Sequence, residues 1–202
     1  FDICLFYNVH WELNMDRWEQ LFIKCQNCTK CGLHTNRSKV VIGRGNPSSS
    51  LMFVGEGPGE QEDLKGLPFV GPAGKLLDLL LESLYFKQDE YYIANVVKCR
   101  PPNNREPYDE EAQACLEFLR EQFILIRPKI IVCLGAVAAK YLIDKDIKIT
   151  QDRGAWINKK GCWMMPTFHP AALLRDPSKK PAAFEDMRKV RMKYDELCRN
   201  CK

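Results

Sequence analysis

The chain has 202 residues, 46% apolar and 28% charged, which suits one globular domain with a full core and excludes a disordered polypeptide. Its ten cysteines sit among long apolar patterns rather than in a short disulfide scaffold, so a reducing, cytoplasmic setting is expected, and no apolar run approaches the ~18 residues of a membrane span. The net charge of +4 is uneven: from Arg153 to Lys202 twelve Lys or Arg face five Asp or Glu, a basic end that suits a phosphate-bearing partner unless it is only a solvated helix face.

Residues 1–14 carry aromatics without a period and lack the basic start of a secretory signal. They read as an upstream extension, with Met15 as the natural start of a domain over residues 15–202. Trp18, Leu21, Phe22 and Cys25 then recur at helical spacing. Cys28-x2-Cys31 follows, and residues 40–43 read as a short strand or extended arm. Residues 51–54 are an apolar strand that ends in Gly55-Glu56-Gly57-Pro58-Gly59. That loop runs through Glu62 and Phe69 to Gly74 and opens a helix over residues 73–84.

Residues 91–97 form a β-rich strand followed by a polar loop over 98–105. Pro107 and three acids from Asp109 start a helix to about Arg127. A strand over 129–134 turns at Gly135 into another helix. Residues 162–168 give the fourth strand, ending at His169-Pro170, and a basic helix runs from Ala182 to about Cys198. Strands alternating with helices predict a parallel α/β fold with helices on both faces.

The glycine loop imitates two nucleotide fingerprints and satisfies neither. Its spacing is Gly-x-Gly-x-Gly with Pro58 inside, and before Gly74-Lys75 a phosphate loop would need glycine where Phe69 stands. What remains is a backbone that a ligand can approach closely, at the carboxyl end of a strand, where open α/β sheets bind ligands. Three strand ends thereby present Glu56, Asn95 and His169, with Phe69 on the intervening loop. A carboxylate, an amide, an imidazole and an aromatic face together suit a planar heterocycle. Read singly, Asn95 is equally a capping residue and His169 a satisfied core histidine.

Cysteine spacing supplies a second constellation. Cys28 and Cys31 are separated by 67 residues from Cys99, and 15 more residues separate Cys99 from Cys115. Two distant pairs closing on one four-thiolate site suit zinc or a [4Fe–4S] cluster, and Cys25 offers an alternative first ligand. Cys198-x2-Cys201 is a clip without a second pair.

Gly55–Gly59 with Gly66-Leu67-Pro68-Phe69-Val70-Gly71, then Asn95-Val96-Val97-Lys98-Cys99-Arg100-Pro101-Pro102, then His169-Pro170-Ala171-Ala172-Leu173-Leu174-Arg175, resemble the motifs of family 4 uracil-DNA glycosylases. These are the iron–sulfur members of the uracil glycosylase superfamily, and the resemblance runs from about Cys28 to about Val190. It implies a three-layer sandwich around four parallel strands and a [4Fe–4S] cluster on Cys28, Cys31, Cys99 and Cys115. It implies a monomer that flips deoxyuridine from single- or double-stranded DNA and hydrolyses its glycosidic bond. Phe69 would stack on uracil, Asn95 read its edge, Gly57 contact it through its N–H, and His169 donate to its oxygen. Glu56 would orient water or offset the cationic sugar, and Glu62 would exclude thymine. Leu173 would wedge into the vacated stack, while Arg175, Arg100 and Arg105 would meet phosphates. The rival reading is a non-catalytic iron–sulfur DNA-binding module.

Overall fold

The computed structural model describes residues 17–198, so the segment read as an extension and the pairing of Cys198 with Cys201 lie outside the described residues. The elements, in order, are α1 (residues 17–26), β1 (Arg44–Gly45), β2 (Leu51–Gly55), α2 (Glu60–Lys65) and α3 (Pro72–Ser83). Next come β3 (Tyr91–Asn95), α4 (Asp109–Ile126), β4 (Ile130–Leu134), α5 (Ala136–Leu142) and α6 (Ile149–Asp152). The chain then forms β5 (Ile157–Lys159), β6 (Cys162–Thr167), α7 (Pro170–Arg175) and α8 (Lys180–Cys198).

One six-stranded sheet runs in the order β1-β3-β2-β4-β6-β5. The four inner strands are parallel, as expected, and β1 and β5 add antiparallel edges that the apolar pattern did not announce. Both edges are two or three residues long, too short to carry a period-2 signal. Of the two forms anticipated for residues 40–43, a short strand or an extended arm, the strand is not formed. Val41 is fully buried but makes one isolated bond, its N–H to the Lys98 carbonyl, and pairing begins only at Arg44.

Alternate residues of the buried strands feed two cores. Leu51, Phe53, Ile93, Ile130 and Val132 pack with Leu77 and Leu81 of α3 and Met187 and Val190 of α8. Met52, Val54, Ala94, Ile131 and Cys133 pack with Leu21 of α1, Leu116 and Leu119 of α4, and Ala138 of α5. The result is a three-layer α/β/α sandwich. After β2 the chain covers one face through α3, and after β3 it covers the other through α4. The strand order reverses there, which opens a crevice at the carboxyl ends of the strands.

Candidate active site

A cleft of about 490 Å³ lies in that crevice. Glu56, Gly57, Glu62, Phe69, Asn95, Arg105, His169 and Arg175 all line it, so tertiary structure unites eight of the ten residues expected around substrate.

Asn95 ends β3 at 1% exposure, and its Oδ1 is buried without a hydrogen-bond partner. A buried amide oxygen left unpaired costs about 1–3 kcal/mol, so its place facing a cleft implies a donor from outside. Gly55 on β2 makes room for it: a Cβ there would stand 2.5 Å from Asn95 Oδ1 and 2.7 Å from the Phe69 ring. The pairing of the two strands continues past their ends, with Val96 N–H donating to the Gly55 carbonyl and Val97 N–H to that of Glu56. This continuation holds Glu56 beside Asn95.

Phe69 is buried with φ 54°, a conformation that L-residues adopt only when their surroundings impose it. Three devices impose it. Glu62 Oε1 accepts from Val70 N–H (2.9 Å) and Gly71 N–H (2.8 Å). Arg44 donates to the carbonyls of Pro68 (2.9 Å) and Phe69 (3.4 Å) while pairing with Asp78. Gly74 in the first turn of α3 lets the Phe69 carbonyl pass where any Cβ would collide. The ring is set 5.5 Å from that of His169, the interplanar angle 34°.

His169 is the N-cap of α7, with Pro170 at the first helical position. Its Nδ1 accepts from Ala171 N–H at 3.1 Å, so in the neutral ring the proton sits on Nε2. Burial pulls its pKa down to about 4, Arg175 adds to the shift and Glu62 opposes it. The imidazole is thus a neutral donor at neutral pH. Glu56 moves the other way: burial raises its pKa to about 7, Glu106 assists and Arg175 opposes. A neutral imidazole and a poised carboxyl face one cleft.

Two expected residues stand elsewhere. Arg100 does not itself line the cleft; it bonds Asn104 Oδ1 at 2.8 Å and lies 3.8 Å from Glu60, two residues of the lining. Leu173 is only 3% exposed, on the inner side of α7, whereas Leu174 beside it is 45% exposed. In this conformation Leu174 is the apolar side chain that α7 presents. Arg105 reaches the cleft but is clamped by Glu111 through two bonds (2.7 and 2.8 Å) and stacked on Tyr108. Arg175 is the exposed cation of the rim, with no ion pair among the described residues.

Behind the cleft, Cys28, Cys31, Cys99 and Cys115 line one cavity together with Cys25. Burial raises the thiol pKa of Cys31 and Cys99 and pushes Cys25 and Cys115 up to about 12. Arg37 ties the cavity wall together, donating to the Cys28 carbonyl (2.9 Å), the Gln26 carbonyl (2.6 Å) and Cys99 Sγ (3.4 Å). Among the described residues no three His, Cys, Asp or Glu groups close around a single metal ion. A four-iron cluster gives each thiolate its own iron, so its ligands ring a cavity rather than meet at a point, and these thiols fit that demand. Sequence reasoning missed Arg44, Arg37, Lys98 and Gln122, each of which bonds at least one group from a distant chain segment.

The model of the "Uracil DNA glycosylase superfamily" matches residues 42–190. A type-4 uracil-DNA glycosylase of Thermotoga maritima is 47% identical over 174 residues, 83% of this chain and 90% of that protein. A type-4 enzyme of Sulfurisphaera tokodaii is 45% identical, with 88% and 84% covered. One of Archaeoglobus fulgidus is 39% identical, with 91% and 94% covered. The unpaired amide, the Phe69 ring and the neutral imidazole thus lie within matched sequence, and the chain belongs to the type-4 uracil-DNA glycosylases of the uracil DNA glycosylase superfamily.

Proposed function

We infer that the chain removes uracil from DNA, and the observation that carries the reading is the orphaned Oδ1 of Asn95 facing the cleft beside a neutral His169. Uracil N3–H supplies the donor that this oxygen lacks, and the Asn95 amide group meets uracil O4. Cytosine presents an acceptor and an amino group at those positions and leaves both ends of Asn95 mismatched. Phe69 covers the face of the ring. A base inside the duplex cannot reach this cleft, so the nucleotide is flipped out of the stack.

Bond cleavage sends the electrons of the C1′–N1 bond into the uracil ring, where negative charge grows on O2. His169 Nε2–H and the Gly57 N–H stabilise that charge, and fixed donors in a dry site are effective because they need no reorganisation. The sugar becomes cationic as the base departs. Glu56, as carboxylate, offsets that charge and orients the water whose oxygen joins C1′. The water gives up one proton, and the uracil anion is released neutral after taking one. Glu62 keeps Phe69 against the cleft and stands near uracil C5, where a thymine methyl would meet the same loop.

Cys28, Cys31, Cys99 and Cys115 would hold a [4Fe–4S] cluster, which supplies a covalent tie between the N-terminal arm and the loop after β3. Arg175 at the rim contacts DNA phosphate, and α7 presents the wedge. The protein acts as a monomer in the cytoplasm. A uracil-containing oligonucleotide treated with protein and then alkali is expected to break at the uracil. An intact strand would return the chain to the rival reading of a DNA-binding module.

A further inference from the structure

One buried side chain joins the cleft to the cysteine cavity. Lys98 is 1% exposed, and its ammonium donates to the Asn95 carbonyl at 2.8 Å and to Gln122 Oε1 at 2.6 Å. Its own backbone N–H donates to Cys115 Sγ at 3.3 Å. Gln122 is fully buried and commits its amide group to the Ile42 carbonyl (3.0 Å) and the Tyr92 hydroxyl (3.3 Å). Both hydrogen-bond partners of the ammonium, a backbone carbonyl and a side-chain amide, are therefore neutral oxygens. The acidic groups that share a cavity with it are thiols, those of Cys25, Cys28, Cys31, Cys99 and Cys115, all of which line the same cavity as Lys98. A cation buried among neutral partners loses more hydration than two hydrogen bonds return, so it needs a counter-charge. Thiolates ionised by a bound cluster provide one.

Resting on the reading that these cysteines hold the cluster, we propose that Lys98 is a positioning residue, the buried counter-cation of the cysteine centre. That centre holds the ammonium in place, and the ammonium holds the Asn95 carbonyl and with it the base-reading end of β3. The short run Asn95–Cys99 thus carries a substrate contact, a cation and a cluster ligand within five residues.

The test compares wild type with K98M, each purified anaerobically as holoprotein and measured before and after chelation of its iron. Colourless wild-type protein without iron would overturn the cofactor reading itself, and this proposal with it. With iron bound in both, the fall in Tm on chelation is expected to be smaller in K98M by about 5 °C or more, because only wild type is left with an unpaired cation. The midpoint potential of the cluster is expected to be more negative in K98M, since a nearby cation favours the added electron. Equal falls in Tm in two brown proteins overturn the proposal alone, because a lysine that only fills space destabilises both forms alike. Q122E serves if K98M does not fold: it keeps Lys98 and places a carboxylate against it. The bonds it loses to Ile42 and Tyr92 cost holoprotein and iron-free protein alike, so the fall in Tm on chelation is expected to be smaller in Q122E than in wild type, and equal falls overturn the proposal.

Discussion

The cleft and the cysteine cavity are both assembled from distant chain segments, yet they are prepared in opposite ways. The cleft is complete before anything binds. Its amide oxygen stands unpaired, its imidazole is neutral, and its aromatic ring is locked at an unfavourable φ by Glu62 and Arg44. The cavity is the reverse: burial raises the thiol pKa of Cys25, Cys31, Cys99 and Cys115, and the buried Lys98 beside them bonds only neutral oxygens, so its groups are not matched among themselves. A reaction site benefits from paying its strain in advance, because no reorganisation is then needed in the transition state. A structural centre can let its ligand complete it, because binding energy becomes folding energy.

That contrast can be broken, and the largest effect is expected at the cavity. C115A should lose its iron and the absorbance near ~400 nm, with marked loss of folded protein, whereas C25A keeps both, as measured by iron content and thermal melting. C25A protein without iron would move the first ligand to Cys25. In the cleft, N95A and H169A should each slow single-turnover uracil release by about 100-fold. N95A should do so without loss of Tm, because Oδ1 has no partner to lose. Near-normal release by both variants would mean the pocket is misassigned.

Leu173 and Leu174 sharpen the comparison within one helix. L173A should cost about 2–4 kcal/mol of stability, the usual range for a buried leucine. L174A should change stability by less than about 0.5 kcal/mol while weakening binding to uracil-containing DNA. A stable L173A that no longer binds DNA would restore Leu173 as the wedge.

Glu56 tests whether strain is stored in the cleft. Its pKa rises from 4.5 to about 7 on folding, so the folded state keeps a proton that the unfolded chain releases. Stability is lost as pH climbs from about 4.5 through 7 and is level above that. E56Q should therefore be more stable than wild type by about 1 kcal/mol at pH 8, after allowance for partial solvation. The wild-type rate should rise through pH 7 and the slower rate of E56Q stay flat; a flat wild-type profile would remove the carboxylate from the chemistry. The smallest change is expected from R175A, which should lower the salt slope of DNA binding by about 1 if Arg175 meets a phosphate.

Much of the fold was legible because buried strands and amphipathic helices write their periods into the chain. The four parallel strands, α3, α4 and α8 all lie within a few residues of their expected positions. Short elements were not legible. α2, α6, α7, β1 and β5 span two to six residues each, too few for a period, and form because neighbours supply their partners. At the site, residue types at strand ends were readable, but exposure was not. Leu173 and Leu174 are indistinguishable as letters, and the burial of one depends on which side of α7 faces its helical neighbour α3.

The sequence by itself determined the sheet, the ends of its strands, the residues that occupy those ends and the spacing of the cysteines. These follow from local period and from glycine and proline punctuation, which act within a few residues. Only the tertiary structure decided the tautomer and charge of His169, the raised pKa of Glu56, the missing partner of Asn95 Oδ1 and the isolation of Lys98. The tautomer follows from the helix cap that brings Ala171 N–H to Nδ1; the others are set by desolvation, which depends on segments brought together from dozens of residues away, and no local pattern encodes that.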